Sequence, residues 1–166
     1  QLIRRQRAAS EAAQRVTRAL LASALGHPAS LPRRLVTPEL EPTTAERPTL
    51  DASVAAALEH NPGLQSLLQE RSEAEQALVR MAVRARTLEL LTRLALLEVI
   101  AEQTRSESDW RDLKLDESRT LYELEAQADL GFSMSQQTKA WRDEQEVAFC
   151  RALTHAELNA LQGQTP

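Results

Sequence analysis

The chain has 166 residues, enough for one domain but not for two conventional hydrophobic cores. Aromatic residues make up only 3% of it, and alanine, leucine, glutamate, glutamine and arginine dominate, as in long helices and coiled coils. The net charge is −4, but residues 1–47 carry eight arginines against four glutamates, so the remainder is acidic. The basic part holds no aromatic side chain that could stack on a base, and the acidic part would repel phosphate. Both features argue against nucleic-acid binding.

The first predicted element is an N-terminal helix over residues 1–25, with apolar residues at helical spacing and arginines between them. Gly26 is predicted to end it, because glycine enters the left-handed conformation without a steric penalty. Five of the seven prolines follow, between Pro28 and Pro48, so residues 26–49 are predicted to form an irregular connector.

The rest of the chain, residues 50–166, is predicted to be a long helical hairpin. Thr49 is expected to cap a short helix ending at His60, and Asn61-Pro62 to begin the next one. Between Leu64 and Leu130 there are 67 residues without glycine or proline. As one helix they would measure ~100 Å, so the fold class is predicted to be all-α, an elongated antiparallel hairpin or coiled-coil bundle.

A helix–helix turn is predicted near residues 129–133. Gly131 follows a helical run, and we expect it to adopt the left-handed conformation that ends a helix. Ser133 or Ser135 is expected to cap the returning helix. An ordinary turn inside a small bundle is an equally good interpretation of the pattern alone.

The two arms of this hairpin differ in length. A helix from about Ser133 to Leu161 is only ~45 Å long, so it should cover the outgoing arm back to about residue 100 and no further. The most apolar stretch, Leu88 to Ile100, then needs another cover: the N-terminal helix, residues 64–84 folded back, or a second chain. Residues 80–87 contain no turn-forming residue, so continuous helix and a homo-oligomer are favoured.

No catalytic, cofactor or metal site is predicted. His27, His60 and His155 are far apart, and none has a second ligand at helical spacing. Phosphate loops and nucleophile motifs are absent, so we expect no enzyme activity and no cofactor. Cys150, Trp110 and Trp141 are expected to be buried in the helix seams. No apolar segment approaches the ~20 residues that would span a bilayer.

Several short segments resemble the outer-membrane efflux protein family, the TolC-like channel proteins. They are Tyr122, Leu124, Ala128-Asp129-Leu130-Gly131, Met134-Ser135-Gln136-Gln137, Ala156 to Gly163, Leu50-Asp51-Ala52, Ala55 to Leu58 and Asn61-Pro62-Gly63-Leu64. Each segment alone is common in helices. Their order and spacing carry the resemblance.

The resemblance implies a periplasmic helical component of a tripartite efflux system, associated with the outer membrane of a Gram-negative cell. In that family a glycine-containing turn joins two long helices, and the helix tips dock onto periplasmic adaptor proteins. The partner-binding tip here would be Asp129, Leu130, Gly131, Phe132 and Ser133. The family inserts two barrel strands where residues 80–87 stand, and no strand pattern is present there. We therefore expect a half-length relative, or a fragment, that cannot form a pore alone.

A second interpretation is a structural, self-associating coiled-coil module without a transport role. The chain begins with Gln and shows no secretory signal, so we expect a processed, excised or partial chain.

Overall fold

The computed structural model describes residues 2–26, 48–124 and 129–164. Within these ranges the chain forms five helices and no strand, which confirms the all-α prediction. The helices are α1 (Leu2–Ala24), α2 (Leu50–His60), α3 (Pro62–Gln69), α4 (Glu73–Glu123) and α5 (Leu130–Leu161). The chain divides into two units, residues 1–39 and 40–166, and each is described by itself.

The first unit contains α1, which ends where the sequence predicts. Gly26 has a φ of 69°, and its backbone N–H donates to the carbonyl of Ser23 at 3.1 Å. Among the apolar side chains of α1, Val16 and Leu20 are more than half exposed, whereas Ala22 is buried. The predicted connector lies, apart from Gly26, Pro48 and Thr49, outside the described residues.

The second unit begins with two short helices whose caps confirm the sequence prediction. The hydroxyl of Thr49 accepts from the backbone N–H of Ala52 at 3.3 Å at the start of α2. At the start of α3, the Oδ1 of Asn61 accepts from the N–H groups of Gly63 and Leu64, at 3.0 and 3.2 Å. Pro62 occupies the first helical position, where its missing N–H costs nothing.

The predicted unbroken helix from residue 64 to residue 130 is wrong at residues 70–72. There α3 ends and α4 begins with Ser72 as N-cap. The carboxylate of Glu75 accepts from the backbone N–H of Ser72 at 2.9 Å, while the side-chain amide of Gln76 donates to the carbonyl of Leu68 at 2.8 Å. These bonds satisfy backbone groups at both helix ends. The Ser-x-x-Glu sequence is a capping box, the signal that the sequence analysis missed.

Helices α4 and α5 form the antiparallel hairpin that dominates this unit. At 1.5 Å per residue, α4 is ~77 Å long and α5 ~48 Å. Near the turn, the hydroxyls of Ser118 and Ser133 are hydrogen-bonded at 2.7 Å. Near the other end of α5, Glu157 pairs with Arg86 at 2.9 Å and with Arg93 at 3.4 Å. The register between the two helices is therefore fixed at both ends of α5.

The apolar core of the hairpin lies at the end remote from the turn. Leu90, Leu91 and Leu94 of α4 form a buried cluster with Leu158 of α5, and Leu50 and Leu161 pack against it. The expectation that the returning helix stops at about residue 100 is wrong. Because α4 ends at Glu123 and α5 starts at Leu130, Ser133 lies opposite Ser118, so the end of α5 reaches residues 86–94.

A second correction concerns what else covers this cluster. Helix α2, which was not among the expected covers, packs against α4 and places Leu50 on the core. Ser53 and Ala57, one turn apart on α2, are almost completely buried. Small side chains at this spacing allow α2 to approach α4 closely. Leu88, Leu96 and Val99 nevertheless remain more than half exposed, and α4 continues without a turn through residues 80–87, as predicted.

The side chain of Asn61 links the start of α3 to the end of α5. Besides capping α3, it donates through Nδ2 to the carbonyl of Leu161 at 3.0 Å and to that of Ala160 at 3.4 Å. Its own N–H donates to Ala57 at the end of α2. Gly163, with φ 73°, lies so close to His60 and Asn61 that a Cβ there would overlap their backbone. We call this arrangement the Asn61 clasp.

No helix in the described ranges has the length and apolarity needed to cross a bilayer.

We expect Asn61→Ala to lower the free energy of unfolding by about 2 kcal/mol. It removes an N-cap, typically ~1 kcal/mol, and the bonds to the end of α5, about 1 kcal/mol more. Asn61→Asp keeps the cap of α3 but loses the donor and places a carboxylate beside the α5 carbonyls. Urea unfolding measures both variants, with Asn159→Asp as the control for charge in the last turn of α5. If Asn61→Asp is no less stable than this control, the bonds to Leu161 and Ala160 contribute nothing.

His155 makes the stability of the hairpin depend on pH. Partial burial lowers the pKa of this imidazole below its ordinary value of 6.5, and the charge of Arg151 lowers it further, while Glu98 raises it. The folded state therefore disfavours the protonated ring. The stability associated with neutral His155 is present above the unfolded pKa and is lost as the pH falls through the lower folded pKa.

Between pH 7 and pH 5 the wild-type chain should lose more stability than the variant His155→Gln. Chemical unfolding at several pH values measures this difference. The pKa of Glu75 is lowered by its hydrogen bonds to Ser72, and that of Glu89 by its bond to Arg86, so both lose their contributions only at lower pH. Parallel pH profiles for the two proteins above pH 5 would contradict the assignment to His155.

Candidate functional site

The tip of the hairpin is capped by Asp129 and not by the predicted serines. Oδ1 of Asp129 accepts from the backbone N–H of Phe132 at 2.8 Å, so α5 begins at Leu130. A carboxylate is well suited to this position, because it also faces the positive end of the helix dipole. Ser133 lies within the first turn of α5, and Ser135 lies further into the helix.

The expected role of Gly131 is also corrected. Gly131 lies within the first turn of α5 and is not among the residues with positive φ. A Cβ added to it would meet Oδ1 of Asp129 at 3.7 Å, which is ordinary van der Waals contact. The outgoing helix ends earlier, at Glu123, and the start of the connection falls on residues outside the described ranges. Gly131 therefore does not reverse the chain by adopting a left-handed conformation.

Ser133 performs a different task, since it holds the tip in register. Its hydroxyl and that of Ser118 are hydrogen-bonded at 2.7 Å, and both residues are partly buried. This bond connects the first turn of α5 to α4, five residues before α4 ends. The exposed Tyr122 of α4 and Phe132 of α5 lie within four residues of this bond.

The distinctive feature of the tip is exposed apolar surface. Tyr122 is 64% exposed, Leu124 71%, Phe132 58% and Met134 51%. Two of these residues come from the end of α4 and two from the beginning of α5. Among the five predicted tip residues, Phe132 carries this surface, whereas Asp129 and Ser133 organise the turn and Leu130 is half-buried. Phe132 and Met134 are two residues apart on α5 and therefore project to different sides of that helix. A partner that binds the tip would have to contact more than one side of it.

A small groove adjoins the tip between α4 and α5. It has a volume of about 160 Å³ and is lined by Trp110, Arg111, Lys114, Phe132, Ser133 and Gln136. The guanidinium of Arg111 lies 4.4 Å from the centroid of the Trp110 ring, and its Nε donates to Glu107 at 2.6 Å. The groove thus combines two aromatic rings with two cationic side chains. A peptide carrying an apolar side chain next to a carboxylate would fit this chemistry.

Three residues expected in the seams are exposed instead. Trp110 is 45% exposed and Trp141 55%, and the thiol of Cys150 faces solvent. The close approach of α4 and α5 explains this. The seam is filled by small or slender side chains such as Ser108, Leu115, Ala140 and Thr154, and indole rings of this size would force the helices apart.

No arrangement for metal binding is present in residues 2–26, 48–124 and 129–164, where no three His, Cys, Asp or Glu side chains come together. Nδ1 of His60 is 3.0 Å from the carbonyl of Ala56, in its own helix. His155 lies on α5. His27 lies outside the described residues.

No family model, no curated protein and no solved structure matches the chain.

Replacing Gly131 by alanine should raise the free energy of unfolding by up to about 1 kcal/mol, because glycine is disfavoured inside a helix. The matched substitution Gly163→Ala should lower it by at least about 1–2 kcal/mol, since that glycine has positive φ and no room for a Cβ. Thermal and urea unfolding distinguish the two signs. A destabilised Gly131→Ala variant would mean that Gly131 has a left-handed conformation after all.

Proposed function

We propose that the chain is a non-enzymatic docking protein whose hairpin tip binds another helical protein, as a periplasmic component of a tripartite efflux or transport assembly. The observation that carries the proposal is the exposed apolar tip of Tyr122, Leu124, Phe132 and Met134. Because Ser118 and Ser133 already hold the hairpin in register, less conformational entropy is lost when the tip binds a partner. Preorganisation of this kind favours affinity.

The resemblance to TolC-like proteins supplies the class of partner. Two of the segments that carry it, Asn61 to Leu64 and Ala156 to Gly163, are remote in sequence yet meet in the Asn61 clasp. A third segment, Asp129 to Gln137, forms the tip. Their joint placement at the two ends of one hairpin supports the resemblance as a likeness of architecture. The proposed partner is accordingly a periplasmic adaptor protein or the channel of such a system.

The groove beside the tip indicates which kind of partner helix would bind there. Trp110 and Phe132 offer apolar faces, and Arg111 and Lys114 lie next to them, paired with Glu107 and Glu117 of the same helix at 2.6 Å. A partner helix with apolar side chains flanked by acidic residues would contact the tip and the groove together. We therefore expect affinity for the partner to fall as ionic strength rises.

Phe132→Asp should reduce binding to a periplasmic adaptor protein by about tenfold or more, because it replaces an exposed aromatic side chain of the tip and the groove by a charge. The adaptor, purified from an efflux system of the source organism, is immobilised and binding is followed by surface plasmon resonance. Leu153→Asp is the control, since Leu153 is 61% exposed on α5 but lies far from the tip.

Equal affinity of the Phe132→Asp and Leu153→Asp variants would exclude docking through the tip. Absence of any binding by the wild-type chain would exclude this partner. Circular dichroism confirms that both variants retain their helices, so a loss of binding is not a loss of fold.

A second candidate function, a self-associating coiled-coil module, is favoured by a different observation. Leu88, Leu96 and Val99 remain exposed on α4, remote from the tip. Self-association through such residues requires no adaptor.

A further inference from the structure

Helix α4 has two apolar faces, and within the described part of the second unit α2 and α5 cover only one of them. The covered face holds the buried residues Val83, Leu90, Leu94 and Leu115. The other face holds six large apolar residues that are between 51% and 70% exposed. We call this set the outer stripe: Leu78, Met81, Leu88, Leu96, Val99 and Leu113.

The outer stripe is a continuous band and not a scatter of surface residues. At 100° per residue its members fall within an arc of about 100°, on the side of α4 opposite the buried face. Between Leu78 and Leu113 no charged residue lies inside this arc. The remaining positions are small or uncharged, and among them are the exposed Ala85, Thr92, Gln103 and Ser106. A solvated helix face would not exclude charge over ten turns.

The size of the outer stripe fits a pair of helices. From Leu78 to Leu113 it extends over ~52 Å, and a helix is ~10–12 Å wide. Two such faces in contact would bury roughly 1,100 Å² in total, at the lower limit of stable protein interfaces. A partner helix of comparable length is needed to cover the whole band. Among the described helices only α4, at ~77 Å, extends beyond the full length of the stripe, and α5 is slightly shorter than it at ~48 Å.

The charges beside the stripe identify the orientation of the second helix. Along one edge, within the length of the stripe, Arg80 and Arg84 lie toward the N-terminus. Glu102 and Asp109 follow on the same edge, with Asp116 just beyond the stripe, whereas Glu98 lies near His155 of α5. Arg84 already contacts Asp51 at 2.7 Å, yet its side chain remains 56% exposed. An antiparallel pair brings this edge of one helix against the same edge of the other, so its basic end faces an acidic end.

A parallel pair would instead bring this edge of one helix against the opposite edge of the other, so its basic end would not meet its acidic end. The charges on the opposite edge are already paired. There Glu89 pairs with Arg93 at 2.8 Å and Glu107 with Arg111 at 2.6 Å, within the same helix.

We propose that two copies of this chain associate antiparallel along the outer stripe of α4, with a two-fold axis near residue 97. In this register Met81 of each copy lies beside Leu113 of the other, and Arg84 lies opposite Asp109. The association buries the apolar side chains that α2 and α5 leave exposed. It leaves both hairpin tips free at opposite ends of the dimer, and it does not depend on docking to an adaptor.

The test uses single cysteines in a Cys150→Ser background, which removes the exposed native thiol. The two variants are Met81→Cys and Leu113→Cys. Each is oxidised alone and in an equimolar mixture, and cross-linked peptides are identified by mass spectrometry. We expect a covalent dimer joining positions 81 and 113 in the mixture, and little dimer from either variant alone. The control is Leu153→Cys mixed with Met81→Cys, which should not cross-link.

Disulfides formed by each variant with itself would indicate a parallel pair and overturn the proposal. So would a monomeric wild-type chain across a concentration series in sedimentation equilibrium.

A second measurement does not depend on cysteines. Val99→Asp places a charge in the middle of the outer stripe and should raise the dissociation constant of the dimer by about tenfold or more. Leu153→Asp should leave it unchanged. If Phe132→Asp dissociates the dimer and Val99→Asp does not, the copies associate through their tips and the outer stripe is not the interface. Circular dichroism checks that each variant keeps its helices.

Discussion

The arrangement of the second unit depends on the side-chain amide of Asn61, which acts both as a hydrogen-bond acceptor and as a donor. Every α-helix leaves four N–H groups unsatisfied at its start and four carbonyls at its end. Asn61 supplies an acceptor to the first kind at α3 and a donor to the second kind at α5, and its backbone closes α2. Three helix ends therefore share one residue. Because α5 is anchored to α4 along its length, this residue also holds α2 against the core.

The hairpin itself is built from very little buried apolar volume. Leu90, Leu91, Leu94 and Leu158 form its only sizeable cluster within the described residues, and apart from Val83 and Leu115 the other buried side chains of α4 and α5 are small or hydroxyl-bearing. Thr87 and Thr154 are buried and satisfy their hydroxyls through carbonyls one turn earlier in their own helices. This arrangement keeps the helices close together, and it explains why the large aromatic and aliphatic side chains lie outside, where they are available to partners.

Local signals of the sequence predicted helix ends well wherever a single residue decides the conformation. Gly26, Thr49 and Asn61-Pro62 behave as expected, because capping depends on one side chain and its neighbours two or three residues away. The start of α4 was missed although Ser72 and Glu75 were visible, since the long run without glycine or proline suggested continuity. At Gly131 the same glycine rule failed, because Asp129 offered a stronger cap and the chain reversed before it.

Features that depend on the register between helices could not be predicted in this way. Because the predicted connection between the two helices lies later in the chain than the observed one, the predicted end of α5 falls well short of Leu90. The exposure of Trp110, Trp141 and Cys150 likewise follows from the distance between α4 and α5, which no local pattern encodes. The excess of apolar residues between Leu88 and Ile100 was recognised from the sequence. The division of these residues into a covered and an uncovered face required the structure.

The position of the Asn61 clasp has a consequence for the order in which the chain folds. Ser118 and Ser133 are 15 residues apart, whereas Asn61 and Leu161 are 100 apart. Closing the larger loop directly from the disordered chain costs about 1.7 kcal/mol more in chain entropy. The pairing of α4 with α5 should therefore begin at the tip. Each further turn that pairs shortens the loop that remains to be closed, and the Asn61 clasp forms last. In the native protein the Asn61 clasp should open first, so backbone amides of α2 and α3 should exchange with solvent before those of the hairpin.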